Sequence, residues 1–544
     1  MYDYLKEKDK SRFVHYESVW NNNFEFDRHV SDVYSKMYAS PEESAKTMTD
    51  YPDKPYMLCE YSHAMGNSCG GNEKYMELFD KYEGFLGAFV WDFVDQAIRT
   101  KTEDGTEYLG YGGDFGDFPN DGVFCGNGLL FADRTETPKM AEIKRLYQNV
   151  KFEEVDTSKG KFKVTNGFMF SNLSEYNLHW QQISGNKVID SGDMIVDVAP
   201  GETKEISVNV KKNQSGESYL NVLIELRDSV KWAKAGHVVA KKQFVINEFD
   251  IKKTSVKKAD MNARTEYGTV YIYGGDMEVR FSKRHHRLYS VKKAGVELLS
   301  APVIPQFWRA VTDNDRGNHM KVRCGMWKYA GEDAAFDIYD VKEIGKEVIV
   351  KSKFTVHTYP TEAKGEVIYT VGSEGIHIDY VFDIPEGLPE VPQIALVFDC
   401  AQSYYALEYL GRGPHENYID RNYSSDIGLY KTDIGNLYVP YLNPQEHGNR
   451  TDVRSAKLVG TKQNLIIEAD RSMELNVCRW STKELEEASH GFELSQNDKP
   501  FVTVSARQMG VGGYDSWGAR TLPEHENQSG RKYSVSFSII PVVK

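Results

Sequence analysis

The sequence predicts a multi-domain chain that opens with part of a (β/α)-barrel and continues into antiparallel β-sandwiches. Three observations predict it. The 544 residues exceed what one hydrophobic core ordinarily organises. A strand, loop, helix and strand follow one another between Pro55 and Asp92, at the spacing of a βαβ unit. Past about residue 150 the pattern changes to short alternating stretches separated by turns, which is how antiparallel sheets read.

The first strand of the βαβ unit is Pro55-Tyr-Met-Leu-Cys-Glu60, an apolar run that stops at a carboxylate. A turn-rich polar loop follows, Tyr61-Ser-His63-Ala-Met-Gly-Asn67-Ser. In a (β/α)-barrel the C-terminal ends of the strands face the site built by the βα-loops, so Glu60 is placed as a catalytic carboxylate. Standing alone, such a Glu reads more readily as a capped or ion-paired strand terminus. From Asn72 to Tyr82 the residues Tyr75, Leu78, Phe79 and Tyr82 share one side of a helix. The next strand, Phe85 to Asp92, ends in Trp91 and two acids, Asp92 and Asp95. A wide aromatic plane beside carboxylates suits the apolar face of a sugar, although a core tryptophan would look the same. Downstream, stretches such as LHWQQIS and YLNVLIELR predict an antiparallel sandwich of immunoglobulin size. Asn247 to Arg264 reads as a linker. From about 265 onward strands dominate, with almost no helix of ordinary length.

Met57 to Arg134 resembles the β-galactosidases of glycoside hydrolase family 2, of the long bacterial type, through CEYSHAMGNS, GAFVWDFVDQ and YGGDFGDFPNDGVFCGNGLLFADR in that order. FWRAVTDNDRGN at 307 to 318, GRGPHENYIDR at 411 to 421 and MGVGGYDSW at 509 to 517 resemble signatures of that family's last domain. The resemblance implies the C-terminal half of a (β/α)8 TIM barrel over 1–148 (strands five to eight). An immunoglobulin-like β-sandwich would span 149–250, with a linker at 251–264. A large antiparallel β-sandwich of galactose-mutarotase-like kind would fill 265–544.

Residue by residue, Glu60 falls on the nucleophile of a retaining mechanism, in which two carboxyl groups about 5 Å apart attack and protonate. Tyr38 matches an active-site tyrosine beside it. His63, Asn67, Trp91 and Trp517 match substrate-pocket positions, Trp517 being brought over the mouth of the site by the last domain. Phe124, through its carbonyl, and Asn127, through its amide, match sodium ligands, a sensible oxygen set for a hard cation. Asn120 matches a residue near a secondary magnesium site. Read without the resemblance, Asp114 to Asp121 is a turn-rich acidic loop. Mg2+ and Na+ are thus the implied cofactors, with most magnesium ligands expected outside this chain.

The resemblance implies that the family's sugar-binding β-sandwich, its first immunoglobulin-like domain and the first half of its barrel are expected outside this sequence. MYDYLKEKDKSR is expected as the end of the helix after strand four, and RFVHYES as strand five. The family's general acid belongs to an Asn-Glu pair after strand four. The pairs Asn72-Glu73 and Asn247-Glu248 do not replace it, since the first has a sufficient role as a helix cap. His415 to Tyr418 and Gln445 to His447 are expected as structural or domain-interface residues, and Asp313-Asn-Asp-Arg-Gly as a turn or a loop reaching toward the site.

The expected function is therefore retaining hydrolysis of terminal β-D-galactose residues, by a chain that carries the nucleophile but not the acid. The alternative is a non-catalytic galactoside-binding or complementing subunit. Related barrels acting on β-glucuronides and β-mannosides form a third, less favoured class. A net charge of −14 argues against nucleic acid and anionic membrane as partners. Mean hydropathy of −0.54 accompanies the lack of any apolar run long enough for a bilayer. The partner is a β-galactoside, and the full-length form is expected to be a homo-oligomer. Six scattered cysteines without a CxxC pair predict free thiols.

Overall fold

The computed structural model describes residues 1–17, 28–185, 187–211, 216–251, 253–256 and 258–544. Its first region is built on a three-stranded parallel sheet of β1 (Tyr34–Met37), β2 (Tyr56–Tyr61) and β3 (Phe85–Val90), in that spatial order. Helix α1 (Tyr2–Lys8) precedes it, α2 (Pro41–Asp50) joins β1 to β2, α3 (Glu73–Lys81) joins β2 to β3, and α4 (Pro138–Leu146) follows. Ser40 and Glu43 form a reciprocal capping box around Pro41 at the start of α2. One face of the sheet and both connecting helices share a core of Tyr34, Met48, Leu58, Tyr61, Tyr75, Leu78 and Phe85, with Phe79 stacked on Phe85 at 4.0 Å.

Two local expectations are corrected. RFVHYES forms no strand over its described residues, and Ser18 lies outside them. Its backbone is satisfied by side chains instead: Val14 N–H donates to Asp32 Oδ2 (2.7 Å) and Tyr16 N–H to Ser31 Oγ (3.2 Å). Asn72 makes no side-chain cap on α3. Its amide turns back to donate to Ser62 Oγ at 2.9 Å, so it braces the loop after β2.

Residues 150–247 fold into a three-stranded and a four-stranded antiparallel sheet around a core containing Phe162, Leu178, Trp180, Val222 and Phe244. Beyond it lie a five-stranded sheet (Asn262 to Glu297) and a twelve-stranded sheet. The strand Gln463–Cys478 is the hub of the larger sheet, paired antiparallel with Arg450–Gly460, Phe501–Gln508 and Arg531–Val543. Alternate residues along these strands fill one continuous core with Phe307, Trp327, Phe354 and Phe382 at its centre. Helices here are short, the longest being Thr482–Glu487 among the described residues. All six cysteines are free. No helix among the described residues is long and apolar enough to cross a membrane.

Burial pushes the carboxyls of Glu446 and Glu474 in this region up to about 7. Folded, each keeps its proton until about pH 7; unfolded, it loses it near 4.5. Their contribution to stability is therefore full below pH 4.5 and lost as pH rises through 7. Replacing both by glutamine is expected to stabilise the fold at pH 8 by on the order of 1 kcal/mol or more, read as a higher melting temperature. The gap should close as melting is repeated toward pH 5.

Candidate active site

The site forms where the C-terminal ends of β1 and β2 meet the last domain. A register shift between Lys36 and Met37 sets Met37 opposite Glu60, which brings Tyr38 beside the carboxylate. Tyr38 N–H donates to Glu60 O (2.9 Å) and Tyr38 Oη to Glu60 Oε2 (2.6 Å). Burial, and next the bond to Glu60, push the Tyr38 phenol far above its ordinary value, so it stays a donor. Tyr38 and Ser62 have left-handed backbones, with φ of 54° and 51°. For non-glycine residues such conformations cost about 1–3 kcal/mol and gather at functional sites.

The loop after β2 is pinned from several sides. Ala64 N–H donates to Trp91 O (2.7 Å), and Gly71 N–H to Asp420 O (2.7 Å). The buried Lys139 of α4 donates to Ala64 O. Arg421 donates to Ser68 O at 2.6 Å. Gly66, at φ 54°, has no room for a Cβ, which would fall 2.2 Å from Asp313 Oδ2. Asn67 is fully buried, its amide donating to Tyr418 Oη (2.9 Å) and Glu446 O (2.7 Å), while its N–H donates to Gln445 Oε1 (3.1 Å). Both side-chain donors are thus spent on the last domain, while Asn67 Oδ1 has no hydrogen-bond partner among the described residues.

His63 and Trp517 are in ring contact. The Trp517 ring lies edge-on to Tyr38 at 4.7 Å and to His63 at 5.3 Å, and Phe124 stands 5.9 Å from His63. Trp517, Trp91 and Phe124 remain 40–50% exposed, an uncommon state for large aromatics that leaves their faces available. Burial, with Lys139 nearby, lowers the His63 pKa to about 4, so its ring is neutral in ordinary buffers.

The acids that follow β3 are engaged by nearby backbone and side-chain donors. Asp92 accepts from Phe93 N–H and from Gln96 Nε2 (2.8 Å), and Asp95 from Gly128 N–H (2.6 Å). Asp515 caps the turn that carries Trp517 through the N–H groups of Trp517, Gly518 and Ala519. The Asp313-Asn-Asp-Arg-Gly segment is a short helix, Asp313–Gly317, whose Asp315 is spent on Arg309 and whose Asp313 is spent on Arg316 and Gln445.

Asn127 is 5% exposed and its Oδ1 has no hydrogen-bond partner. A buried, unsatisfied amide oxygen is costly unless a donor or cation meets it, so Asn127 fits the implied hard cation. Asn120 gives no such sign. It is exposed, and its amide closes a local turn by accepting from Gly122 N–H (3.0 Å) and donating to Asp117 O (2.9 Å).

Sequence reasoning missed Ser516, Asn314, Lys139 and Arg421. The motifs that contain the first two and Arg421 are visible, but nothing local pairs them with the β2 loop. Gly317 shows how tightly the segments fit: a Cβ there would lie 1.9 Å from Ser516 O. Gly317→Ala is expected to push the Ser516–Trp517 turn outward. The check is a red shift of Trp517 fluorescence and a loss of about 1–3 kcal/mol in unfolding.

At the end of β2 the Glu60 carboxylate is thus held by the Tyr38 phenol, with the Trp517 ring of the last domain against Tyr38. Residues 1–152 match the TIM barrel domain of glycosyl hydrolases family 2, 162–247 match β-galactosidase domain 4, and 273–539 match the β-galactosidase small chain. A β-galactosidase of Priestia megaterium is 39% identical over 550 residues, covering 100% of this chain and 53% of the relative. One of Streptococcus thermophilus is 34% identical over 570 residues, covering 100% and 54%. A galactose mutarotase-like protein of Clostridium acetobutylicum aligns at a TM-score of 0.30 and 9% identity over 53% of this chain and 99% of that one, too loosely to argue from. The chain belongs to glycoside hydrolase family 2 and matches the C-terminal portion of its β-galactosidases. It spans about half the length of the curated relatives it matches.

Proposed function

We propose that this chain is the nucleophile-bearing part of a retaining β-galactosidase, with Glu60 as nucleophile. The observation that carries the reading is Glu60 at the end of β2, with Tyr38 donating to Oε2 at 2.6 Å below the Trp517 ring. The phenol occupies one carboxylate oxygen and leaves the other for attack. In the first step that oxygen bonds to the anomeric carbon, the bond to the leaving oxygen breaks, and the electron pair departs with the aglycone. A proton from a general acid meets the leaving oxygen. Water then displaces Glu60 and retention results. Asp92, Asp95 and Asp515 each accept backbone hydrogen bonds, and the assignment of the acid to a part of the protein outside this chain rests on the family resemblance.

In this reading Trp91 and Trp517 cover the apolar face of the galactosyl unit and His63 meets a hydroxyl. Asn127 Oδ1 and the Phe124 carbonyl hold a sodium ion, whose charge would fix a sugar oxygen. Magnesium, with Asn120 near it, rests on the family alone, as does assembly of the full-length form into a homo-oligomer. The division into 1–148, 149–250, 251–264 and 265–544, in the order half-barrel, immunoglobulin-like sandwich, linker and large sandwich, belongs to the same proposal.

The test uses a 2-deoxy-2-fluoro β-galactoside whose leaving group needs no protonation. The purified chain should gain one glycosyl mass at Glu60, located by peptide mapping, because the first step needs no acid when the leaving group is good. An unlabelled chain that still binds a thiogalactoside would instead favour the non-catalytic binding or complementing subunit.

A further inference from the structure

A chain of three hydrogen-bonding groups decides what His63 can bind. Asn314 is 1% exposed and its Nδ2 donates to two backbone carbonyls, Val511 O (3.0 Å) and Gly512 O. Only the nitrogen end of the amide can face two carbonyls, so Oδ1 is the end that meets Ser516. Ser516 Oγ, also buried, lies 2.8 Å from Asn314 Oδ1. An amide oxygen cannot donate, so the single hydroxyl proton of Ser516 points at Asn314. On its other side Ser516 Oγ lies 2.8 Å from His63 Nδ1. With its proton spent, Ser516 can only accept there, and His63 Nδ1 must carry the hydrogen. A neutral imidazole has one N–H, which leaves Nε2 a bare lone pair. Nε2 has no hydrogen-bond partner among the described residues, and the rings around His63 are those of Tyr38, Phe124 and Trp517.

We propose that Asn314 and Ser516 are positioning residues that lock His63 in its Nδ1–H form, making Nε2 an obligate acceptor and selecting neutral sugars over hexuronates. This rests on the reading of the Glu60 loop as the sugar pocket. A sugar hydroxyl donates its hydrogen to Nε2. A uronate carboxylate presents only lone pairs to it, so two acceptors would face each other with no hydrogen between them.

The experiment is 15N spectroscopy of the histidine-labelled full chain, with His63 assigned by its disappearance in His63→Gln. The wild type should show a protonated Nδ1 and a bare Nε2. Ser516→Ala should give a mixture of tautomers and Ser516→Thr should restore the wild-type pattern, a response that a purely structural role for Ser516 would not produce. Wild-type His63 protonated on Nε2, or a Ser516→Ala spectrum unchanged from wild type, would overturn the proposal. If Ser516→Ala does not fold, the wild-type spectrum alone still decides the tautomer. An alkyl 1-thio-β-galactoside should move the Nε2 resonance and quench Trp517 at least tenfold more tightly than the matching 1-thio-β-galacturonide. Equal affinity for the two would remove the selection while leaving the tautomer standing. Quenching by neither sugar would overturn the pocket reading, and the selection with it.

Discussion

Glu60→Gln will lower cleavage of an activated aryl β-galactoside by at least about 10^4-fold, the scale of losing a nucleophile that acts as part of a unit. That corresponds to about 5.5 kcal/mol of transition-state stabilisation. An amide at this position is nearly isosteric and can still accept from Tyr38 Oη, now 2.6 Å from Oε2. The folded chain should therefore survive, and circular dichroism and melting should stay close to wild type. Tyr38→Phe offers the graded comparison. Removing one preorganised donor costs about 10^2- to 10^3-fold, and the loss should fall on kcat more than on KM if the phenol acts on the carboxylate as charge leaves it. Equal rates for Glu60→Gln and wild type would remove Glu60 from the chemistry altogether.

Arg421→Met will cost about 3–5 kcal/mol, the usual penalty for stripping one partner from a buried ion pair. Arg421 is 2% exposed and joins three things. It pairs with Glu416 at 2.7 Å, donates to Ser68 O at 2.6 Å, and sits over the Tyr418 ring at 5.3 Å from its centroid. Glu416 is held further by Tyr441 Oη (2.5 Å) and Gly448 N–H (2.7 Å). The variant leaves that carboxylate buried without its cation, and frees Ser68 in the loop that carries His63. Denaturant melts read the stability. The double variant with Glu416→Gln should recover part of the loss, because a buried charge no longer stands alone. A single variant within about 0.5 kcal/mol of wild type would show that the loop is held by its other bonds.

Much of the first region is legible because its causes are local. An apolar run of strand length, a turn after it, and Tyr75 and Leu78 at helical spacing place Glu60 at a strand end and α3 behind it. The same holds for the alternating strands of the last domain. The failures are also local in form. RFVHYES falls where the family resemblance places the fifth barrel strand, yet side chains of Asp32 and Ser31 take the N–H groups of Val14 and Tyr16. Asn72 sits where a cap belongs, yet Ser62 claims its amide.

The sequence alone determined the strand, loop, helix and strand from Tyr56 to Val90 and the strand-end position of Glu60, since burial periodicity and turn chemistry act within a few residues. Only the tertiary structure decided that Asn67 spends its donors on Tyr418 and Glu446, that Asn127 Oδ1 is left bare, and that Ser516 meets His63 across 453 residues of chain. Such bonds are selected when two packed domains exclude water and every buried donor and acceptor must find a partner. No periodicity records which partner that will be.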